Sequence, residues 1–174
     1  VPATKSFTTQ VTVLYLFALY LARRRGRMTS EWIRARMEPL LRLPDQLEKA
    51  IRQWDSLASE SAEHYRQAPS YLFLGRGVHY AIAREGALKL KEISYAHAEA
   101  YPTGEVRHGP EALVSGGMPI VAVATRDESD PDSVLRYKKT LLTLTSLKSH
   151  GASIFAIATE GDNEIQSLAE HTIF

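Results

Sequence analysis

The sequence predicts an α/β fold in which a parallel sheet carries helices on both faces and is preceded by N-terminal helices. Three apolar runs have the length of buried strands, at residues 71–74, 119–124 and 153–158. Segments with helical periodicity separate these runs, and such alternation favours a parallel sheet. Before residue 69 only helical patterns occur.

The N-terminal part is predicted to contain three helices. They cover residues 7–22, residues 30–41 and a stretch from Pro44 to Leu57, with Pro39 and Pro44 interrupting the pattern. Pro69 marks a boundary because the residue before a proline is pushed out of the helical region. We therefore expect a helical segment at residues 1–68 and an α/β domain at residues 69–174.

The α/β part is predicted to continue with a helix at residues 80–100 and a second helix from Asp130-Pro131 to about residue 150. Asp130 suits the N-cap of that second helix, and Gly151 suits its C-terminal cap. A short helix at residues 164–170 and a strand beginning at residue 172 complete the pattern. Ligands of such sheets bind beyond the carboxyl ends of the strands, here residues 75–77, 125–126 and 159–160.

Composition excludes several classes of protein and of site. A formal charge of +1 gives no field that would attract nucleic acid, and the absence of cysteine excludes disulfides and thiol catalysis. That absence is compatible with a cytoplasmic setting. The apolar run at residues 11–22 is shorter than the roughly 17–25 residues of a membrane span, so we expect a buried helix and no membrane partner.

Glycine and histidine positions bear on ligand sites. Gly75-Arg76-Gly77 lacks the third glycine of a dinucleotide fingerprint, so we interpret it as a tight turn that brings Arg76 near an anion or a partner subunit. The six histidines are scattered without the spacing of metal ligands, and we expect neither a metal nor a cofactor. His97, within the predicted helix, and His171 are expected to be structural.

Ionisable residues share one face of the predicted helix at residues 80–100. Glu85, Lys89 and Glu92 are four and three residues apart, and Glu99 follows seven residues later. A carboxylate beside a lysine can act as a base that moves a proton between adjacent sugar carbons, and His108 in a glycine-flanked loop suits sugar-ring opening. We expect this group beside the ligand-binding edge of the sheet. A solvated ion-pair face explains the same spacing, so both hypotheses stand at this point.

The stretch from Glu85 to Pro110 closely resembles the isomerase part of the glucosamine-6-phosphate synthase family, the glutamine–fructose-6-phosphate aminotransferases. The segments that carry the resemblance are EGALKLKEISY from Glu85, HAEAY from His97, Gly104-Glu105 and His108-Gly109-Pro110. The resemblance implies a sugar isomerase (SIS) domain of flavodoxin-like architecture. It implies that residues 1–68 contain the end of a first SIS domain and that residues 69–174 form most of a second one.

The same resemblance implies roles for individual residues. Glu92 matches the family's base, Lys89 matches a lysine at the sugar hydroxyls, and His108 matches a histidine that reaches the site of the neighbouring subunit. We expect Val1, Ala3 and Arg76 to contact substrate. The implied partners are fructose 6-phosphate, glucosamine 6-phosphate, a glutaminase domain in the full chain and a second copy in a homodimer.

The family's phosphate-binding loop and Schiff-base lysine have no match here, so we expect this chain to hold part of a site and to be inactive alone. Two alternatives remain at this point. One is a glutaminase-free SIS enzyme such as an amino-sugar-phosphate deaminase or deglycase. The other is a non-catalytic SIS module that binds a sugar phosphate.

Overall fold

The computed structural model describes residues 3–174. These residues form two compact units, and the division along the chain falls between Ser56 and Leu57. The first unit contains helix α1 (Thr4–Arg24) and most of helix α2 (Ser30–Tyr65). The second unit, Leu57–Phe174, contains the sheet.

In the first unit, α1 and α2 are joined by a short turn. The Tyr15 hydroxyl donates a 3.1 Å hydrogen bond to the backbone oxygen of Arg36, and Leu19 and Ile33 are buried. Among residues 3–174, no helix is both long and apolar enough to cross a membrane.

Two of our predictions for the helical segment were wrong. Most apolar side chains of α1 are exposed rather than buried, because the consecutive apolar residues lie on all faces of the helix and only Leu19 lies in a packed position. The expected break at Pro39 and Pro44 is absent, and α2 runs through both residues. Each proline removes one backbone donor, so α2 continues through both positions without those two N–H groups.

The second unit is built on a five-stranded, wholly parallel sheet in the order β2-β1-β3-β4-β5. This strand order is the flavodoxin-like one. The strands and helices in chain order after α2 are β1 (Ser70–Gly75), α3 (Val78–Ser94), β2 (His97–Pro102), β3 (Pro119–Ala124), α4 (Pro131–Ser149), β4 (Ser153–Ala158), α5 (Asn163–Leu168) and β5 (His171–Ile173).

Helices cover both faces of the sheet, as the sequence predicted. One buried cluster combines Ala83 and Ala87 of α3 with Tyr71, Phe73 and Ala98 of the strands. The larger cluster, on the other face, contains the apolar side chains of α4 and α5 and includes Leu74, Ile120, Leu144, Ile154 and Ile165. Small residues on α3 let this helix lie close to the strands.

The predicted helix at residues 80–100 is a helix followed by a strand. α3 ends at Ser94 because Tyr95 adopts a left-handed conformation with φ of 60°. The chain then enters β2, which pairs with β1 from His97 onward. His97 and Glu99 therefore lie on a strand, and our placement of them on the helix was wrong.

The predicted ends of α4 are confirmed. The Asp130 carboxylate caps its N-terminus by accepting a hydrogen bond from the Asp132 N–H, and Gly151 follows its end with φ of 90°. The carboxyl ends of β1, β3 and β4 lie at one edge of the sheet because all strands are parallel. There, Thr159 Oγ accepts from the Arg126 N–H at 2.7 Å and donates to the Arg126 carbonyl, which joins the ends of β3 and β4.

Candidate active site

A lysine held between two carboxylates lies on the second half of α3. Lys89 Nζ is 2.5 Å from Glu92 Oε2 and 3.7 Å from Glu85 Oε1. The spacing of three and four residues places the three side chains on one helix face, as the sequence predicted. The Lys89 and Glu85 side chains are 15% and 20% exposed, whereas the Glu92 side chain is 38% exposed. Glu92 is therefore the carboxylate most open to a ligand.

The electrostatics of this group favour the charged form of the lysine. The hydrogen bond from Lys89 to Glu92 raises the pKa of the ammonium above its usual value, and the charges of Glu92 and Glu85 act in the same direction. Lys89 therefore stays protonated at neutral pH. An ammonium beside a carboxylate can orient a sugar hydroxyl while the carboxylate takes a proton from carbon.

The group lies nearer the amino ends of the strands than we predicted. α3 begins just beyond the carboxyl end of β1 and ends two residues before β2 starts, so it runs antiparallel to the strands. Glu92 is in its last turn and so lies near the amino ends. Our expectation that the group lies beside the carboxyl edge was wrong, because the helix ends at Ser94 rather than at residue 100.

His108 lies beyond the carboxyl end of β2, whereas Glu92 lies near the amino end of this strand. His108 is an exposed residue at the end of a short 3₁₀ turn (Val106–His108) that comes after β2, and its N–H donates to the Glu105 carbonyl at 3.0 Å. Glu92 precedes β2 and His108 follows it, so one strand of six residues separates them, roughly 20 Å in length. The structure brings Lys89 and Glu92 together but does not bring His108 of the same chain to them.

Of the three residues expected to contact substrate, Arg76 lies away from the Lys89–Glu92 pair. Arg76 is half-buried in the turn before α3, at the other end of that helix from Glu92. Ala3 is exposed at the N-cap of α1, where its carbonyl accepts a 2.7 Å hydrogen bond from the Ser6 hydroxyl. Val1 lies outside the described residues.

Sequence reasoning missed an ionic group around Arg126 at the carboxyl edge, of which the Asp162 side chain is buried. Arg126 lies 2.9 Å from Glu128, 3.7 Å from Glu164 and 4.0 Å from Asp162. The Tyr137 hydroxyl donates a 2.8 Å hydrogen bond to the Asp162 carboxylate, which also caps α5. The sequence contained a usable signal for this group, because Arg126 follows β3 and Asp162 follows β4, and these two strands are parallel neighbours.

A polar row on the edge strand β2 was also missed, because those residues were assigned to a helix. The Tyr101 hydroxyl donates a 2.7 Å hydrogen bond to Glu99, and His97 Nε2 lies 3.6 Å from the same carboxylate. Residues two apart on a strand share a face, which explains the row. Across residues 3–174, no group of three or more His, Asp or Glu side chains is arranged to hold a metal ion.

Comparison with known proteins decides the family. The SIS domain family model matches residues 64–174. The chain belongs to the SIS family. The fold described above, with its 2-1-3-4-5 sheet, is the α/β architecture that the sequence predicted for this family.

Relatives of this SIS chain extend the similarity into the first unit. A glutamine–fructose-6-phosphate aminotransferase (isomerizing) of Methanosarcina acetivorans is 42% identical over 170 residues, which cover 98% of this chain and 26% of that protein. Its counterpart in Thermus thermophilus is 41% identical over 174 residues, which cover 100% of this chain and 28% of that protein. The SIS chain spans about a quarter of the length of these curated relatives.

A solved structure agrees with the sequence relatives. The C-terminal domain of glucosamine-fructose-6-phosphate aminotransferase from Francisella tularensis superposes with a TM-score of 0.82 and 40% identity. The superposition covers 92% of this SIS chain and 43% of that chain.

Proposed function

We propose that this SIS chain is the isomerase part of a cytoplasmic aminotransferase that makes glucosamine 6-phosphate from fructose 6-phosphate and glutamine. The observation that carries the proposal is the Lys89–Glu92 pair, a protonated lysine 2.5 Å from an accessible carboxylate. The identities of 41–42% to aminotransferases over nearly the whole chain support it. In this proposal residues 1–68 include the end of a first SIS domain, residues 69–174 are part of a second, and a glutaminase domain supplies ammonia.

Glu92 acts in this proposal as the base of the isomerisation. Its carboxylate removes a proton from C1 of the imine formed from fructose 6-phosphate and ammonia, and C2 receives a proton to give the amino sugar. Lys89 holds the sugar hydroxyls next to that carboxylate. Glu85 helps to hold the Lys89 ammonium in position, because it contacts this group from one helical turn earlier.

His108 serves a different copy of the chain in this proposal. Within one chain the length of β2 separates it from Glu92, whereas ring opening and proton transfer must occur on one sugar. A homodimer in which His108 crosses to the partner's site meets this requirement. Ala3 and Val1 are proposed as further substrate contacts. Arg76 is proposed as one too, and because it lies at the other end of α3 from Glu92, in this proposal it serves a neighbouring copy, as His108 does.

Replacing Glu92 tests the base in the complete protein. We expect Glu92→Gln to lower the rate of isomerisation by about 10²–10⁴-fold while fructose 6-phosphate still binds. Glu63→Gln, which removes an exposed carboxylate paired with Arg66, is the matched control and should leave the rate unchanged. Normal turnover by Glu92→Gln would exclude Glu92 as the base.

Mixing two inactive variants tests the shared site. Glu92→Gln and His108→Asn subunits, mixed and allowed to exchange, should recover about a quarter of wild-type activity because half of the dimers then hold one intact site of two. No recovery, with exchange verified by mass spectrometry, would show that His108 does not act across subunits. Release of ammonia from glucosamine 6-phosphate without glutamine-dependent synthesis would instead favour the deaminase alternative, and binding without any turnover would favour the non-catalytic module.

A further inference from the structure

Positive charge is concentrated at the turn between α1 and α2. Residues 23–36 contain six arginines, one glutamate and no lysine, so this stretch has a net charge of +5 in a chain whose total is +1. Four of these arginines, all exposed, lie at the turn itself: Arg23, Arg24, Arg25 and Arg27. The turn is therefore a local cationic surface on a chain with almost no net charge.

The arginines at the turn have no counter-ion within the chain. Among residues 3–174, no carboxylate lies within ion-pair distance of these four arginines or of Arg34, and their side chains make no hydrogen bond. Arg36 differs, because its guanidinium lies 3.5 Å from the centroid of the Trp32 ring. A guanidinium binds a carboxylate or a phosphate through two parallel hydrogen bonds, so the unpaired arginines favour an anionic partner.

A groove beside the turn adds apolar surface to this charge. It has a volume of about 410 Å³ and lies between the end of α1 and the first turns of α2. Its floor includes Leu41, which is 74% exposed, and Met37, which is 38% exposed. The groove therefore offers solvent-facing aliphatic groups next to unpaired cations. The lining residues are Arg23, Ser30, Ile33, Arg34, Met37, Glu38 and Leu41.

This lining favours a protein segment over a nucleic acid. Sites for single-stranded nucleic acids provide aromatic rings on which the bases stack, and the groove formed by the described residues contains none. The Trp32 ring nearby is half-buried and covered by Arg36. The pI of the chain, about 8.1, is below the value above 9 that is typical of nucleic-acid-binding domains. Arginine and methionine, in contrast, are enriched at protein interfaces, where lysine is depleted.

We propose that this groove binds an acidic segment of another protein. An apolar side chain of that segment covers Met37 and Leu41, and its carboxylates pair with Arg23 and Arg34 at the rim. The arginines of the turn add attraction for further carboxylates along the segment. The site consists of residues 23–41 and contains none of the residues assigned to the isomerase, so it goes beyond that function and does not depend on it.

Fluorescence anisotropy tests the groove with a labelled peptide in which glutamates flank a central pair of leucines. We expect saturable binding to the complete protein at constant ionic strength. Arg23→Gln combined with Arg34→Gln should raise the Kd roughly tenfold, since it removes two exposed ion pairs. Met37→Ser should raise it roughly fivefold by removing apolar contact. Arg52→Gln, which removes a charge from an exposed position farther along α2, is the matched control and should leave the Kd unchanged.

Further probes separate the possible occupants. A peptide with serines in place of the leucines should bind more weakly, and a peptide with lysines in place of the glutamates should not bind. The proposal is overturned if single-stranded RNA or phosphatidylserine vesicles bind more tightly than the acidic peptide. It is also overturned if the double arginine variant, shown to be folded by circular dichroism, binds normally.

Two other occupants come from the protein itself. If the 174-residue chain binds the peptide and the complete protein does not, another segment of the same protein covers the groove. If the wild type forms a dimer in analytical ultracentrifugation and the double arginine variant does not, the occupant is a second copy. Either result overturns the proposal, as does the absence of peptide binding by both forms.

Discussion

Glu92 holds the Lys89 ammonium at 2.5 Å, whereas Glu85 approaches the same nitrogen only to 3.7 Å. The two carboxylates are therefore unequal partners of one cation. A carboxylate favours the protonated lysine, so each contact raises the pKa of Lys89 and the closer one does so more.

We therefore expect Glu92→Gln to lower the pKa of Lys89 toward its ordinary value of 10.5, and Glu85→Gln to lower it less. The stabilisation from this contact is present below pH 10.5 and is lost as the pH rises through the raised pKa of the folded state. Heteronuclear NMR of the lysine Cε and Nζ signals across alkaline pH measures the shift. Glu63→Gln should leave the Lys89 titration unchanged, and an equal effect of both α3 variants would contradict the ranking.

A buried hydrogen bond at the carboxyl edge should contribute measurably to stability. Tyr137 is buried, and its hydroxyl donates to the buried Asp162 carboxylate at 2.8 Å. Tyr137→Phe leaves that carboxylate with one donor fewer, so we expect the free energy of unfolding to fall by about 2 kcal/mol. Urea denaturation measures this loss. Tyr95→Phe, at a side chain 92% exposed, is the control and should change stability little.

His79 should make the fold sensitive to mild acid. Burial, then the charge of Arg136, lowers the pKa of His79 below 6.5 in the folded state. The unfolded chain binds a proton on this residue first, so stability is complete above pH 6.5 and falls as the pH drops below it. Between pH 7 and pH 5 we therefore expect His79 to lower the free energy of unfolding. His79→Gln should reduce this dependence in urea denaturation, whereas exposed His150→Gln should preserve it.

Gly86 lets α3 pack closely on the Phe73 ring of β1. A Cβ at this position would lie 2.9 Å from Cε1 of the Phe73 ring. Alanine gains about 1 kcal/mol in helix propensity but overpacks the cluster by about 1–3 kcal/mol, so we expect Gly86→Ala to be destabilising by roughly 1 kcal/mol. Thermal and urea unfolding measure the difference, and Gly116→Ala, which meets nothing nearby, is the control.

A double variant identifies the cause at Gly86. Phe73→Leu should cost less stability in the Gly86→Ala background than in the wild type, because the smaller side chain relieves the contact. If the stability losses of Phe73→Leu and Gly86→Ala are strictly additive, contact with the Phe73 ring is not the cause of the destabilisation by Gly86→Ala.

The strands with strongly apolar sequences could be predicted, whereas the edge strand β2 could not. The runs at β1, β3 and β4 are apolar and bounded by glycine or proline, so their positions followed from the sequence. β2 did not, because Ala98 and Ala100 between charged residues resemble a helix and Tyr95 takes the place usually held by glycine at a helix end. What makes this segment a strand is pairing with β1, which is a tertiary interaction.

In the candidate site, too, local contacts could be predicted and tertiary placement could not. The spacing of Lys89 and Glu92 was sufficient to predict their contact, since neighbours three apart on a helix meet. Their place relative to the sheet depended on where α3 ends, and that error moved the pair to the wrong edge. The distance between His108 and Glu92 along β2 could not be known while β2 was missed.

The wholly parallel sheet has a kinetic consequence. The register pairs Ser70 with His97, Leu72 with Ile120, and Phe155 with His171, so no two strands are joined by a tight hairpin. Large loops must close before any interstrand hydrogen bond forms, and the entropy of closure opposes each of them. We expect α3 and α4, whose bonds are local, to form ahead of the sheet, and the refolding rate of this unit to be set by the meeting of β1 with β3.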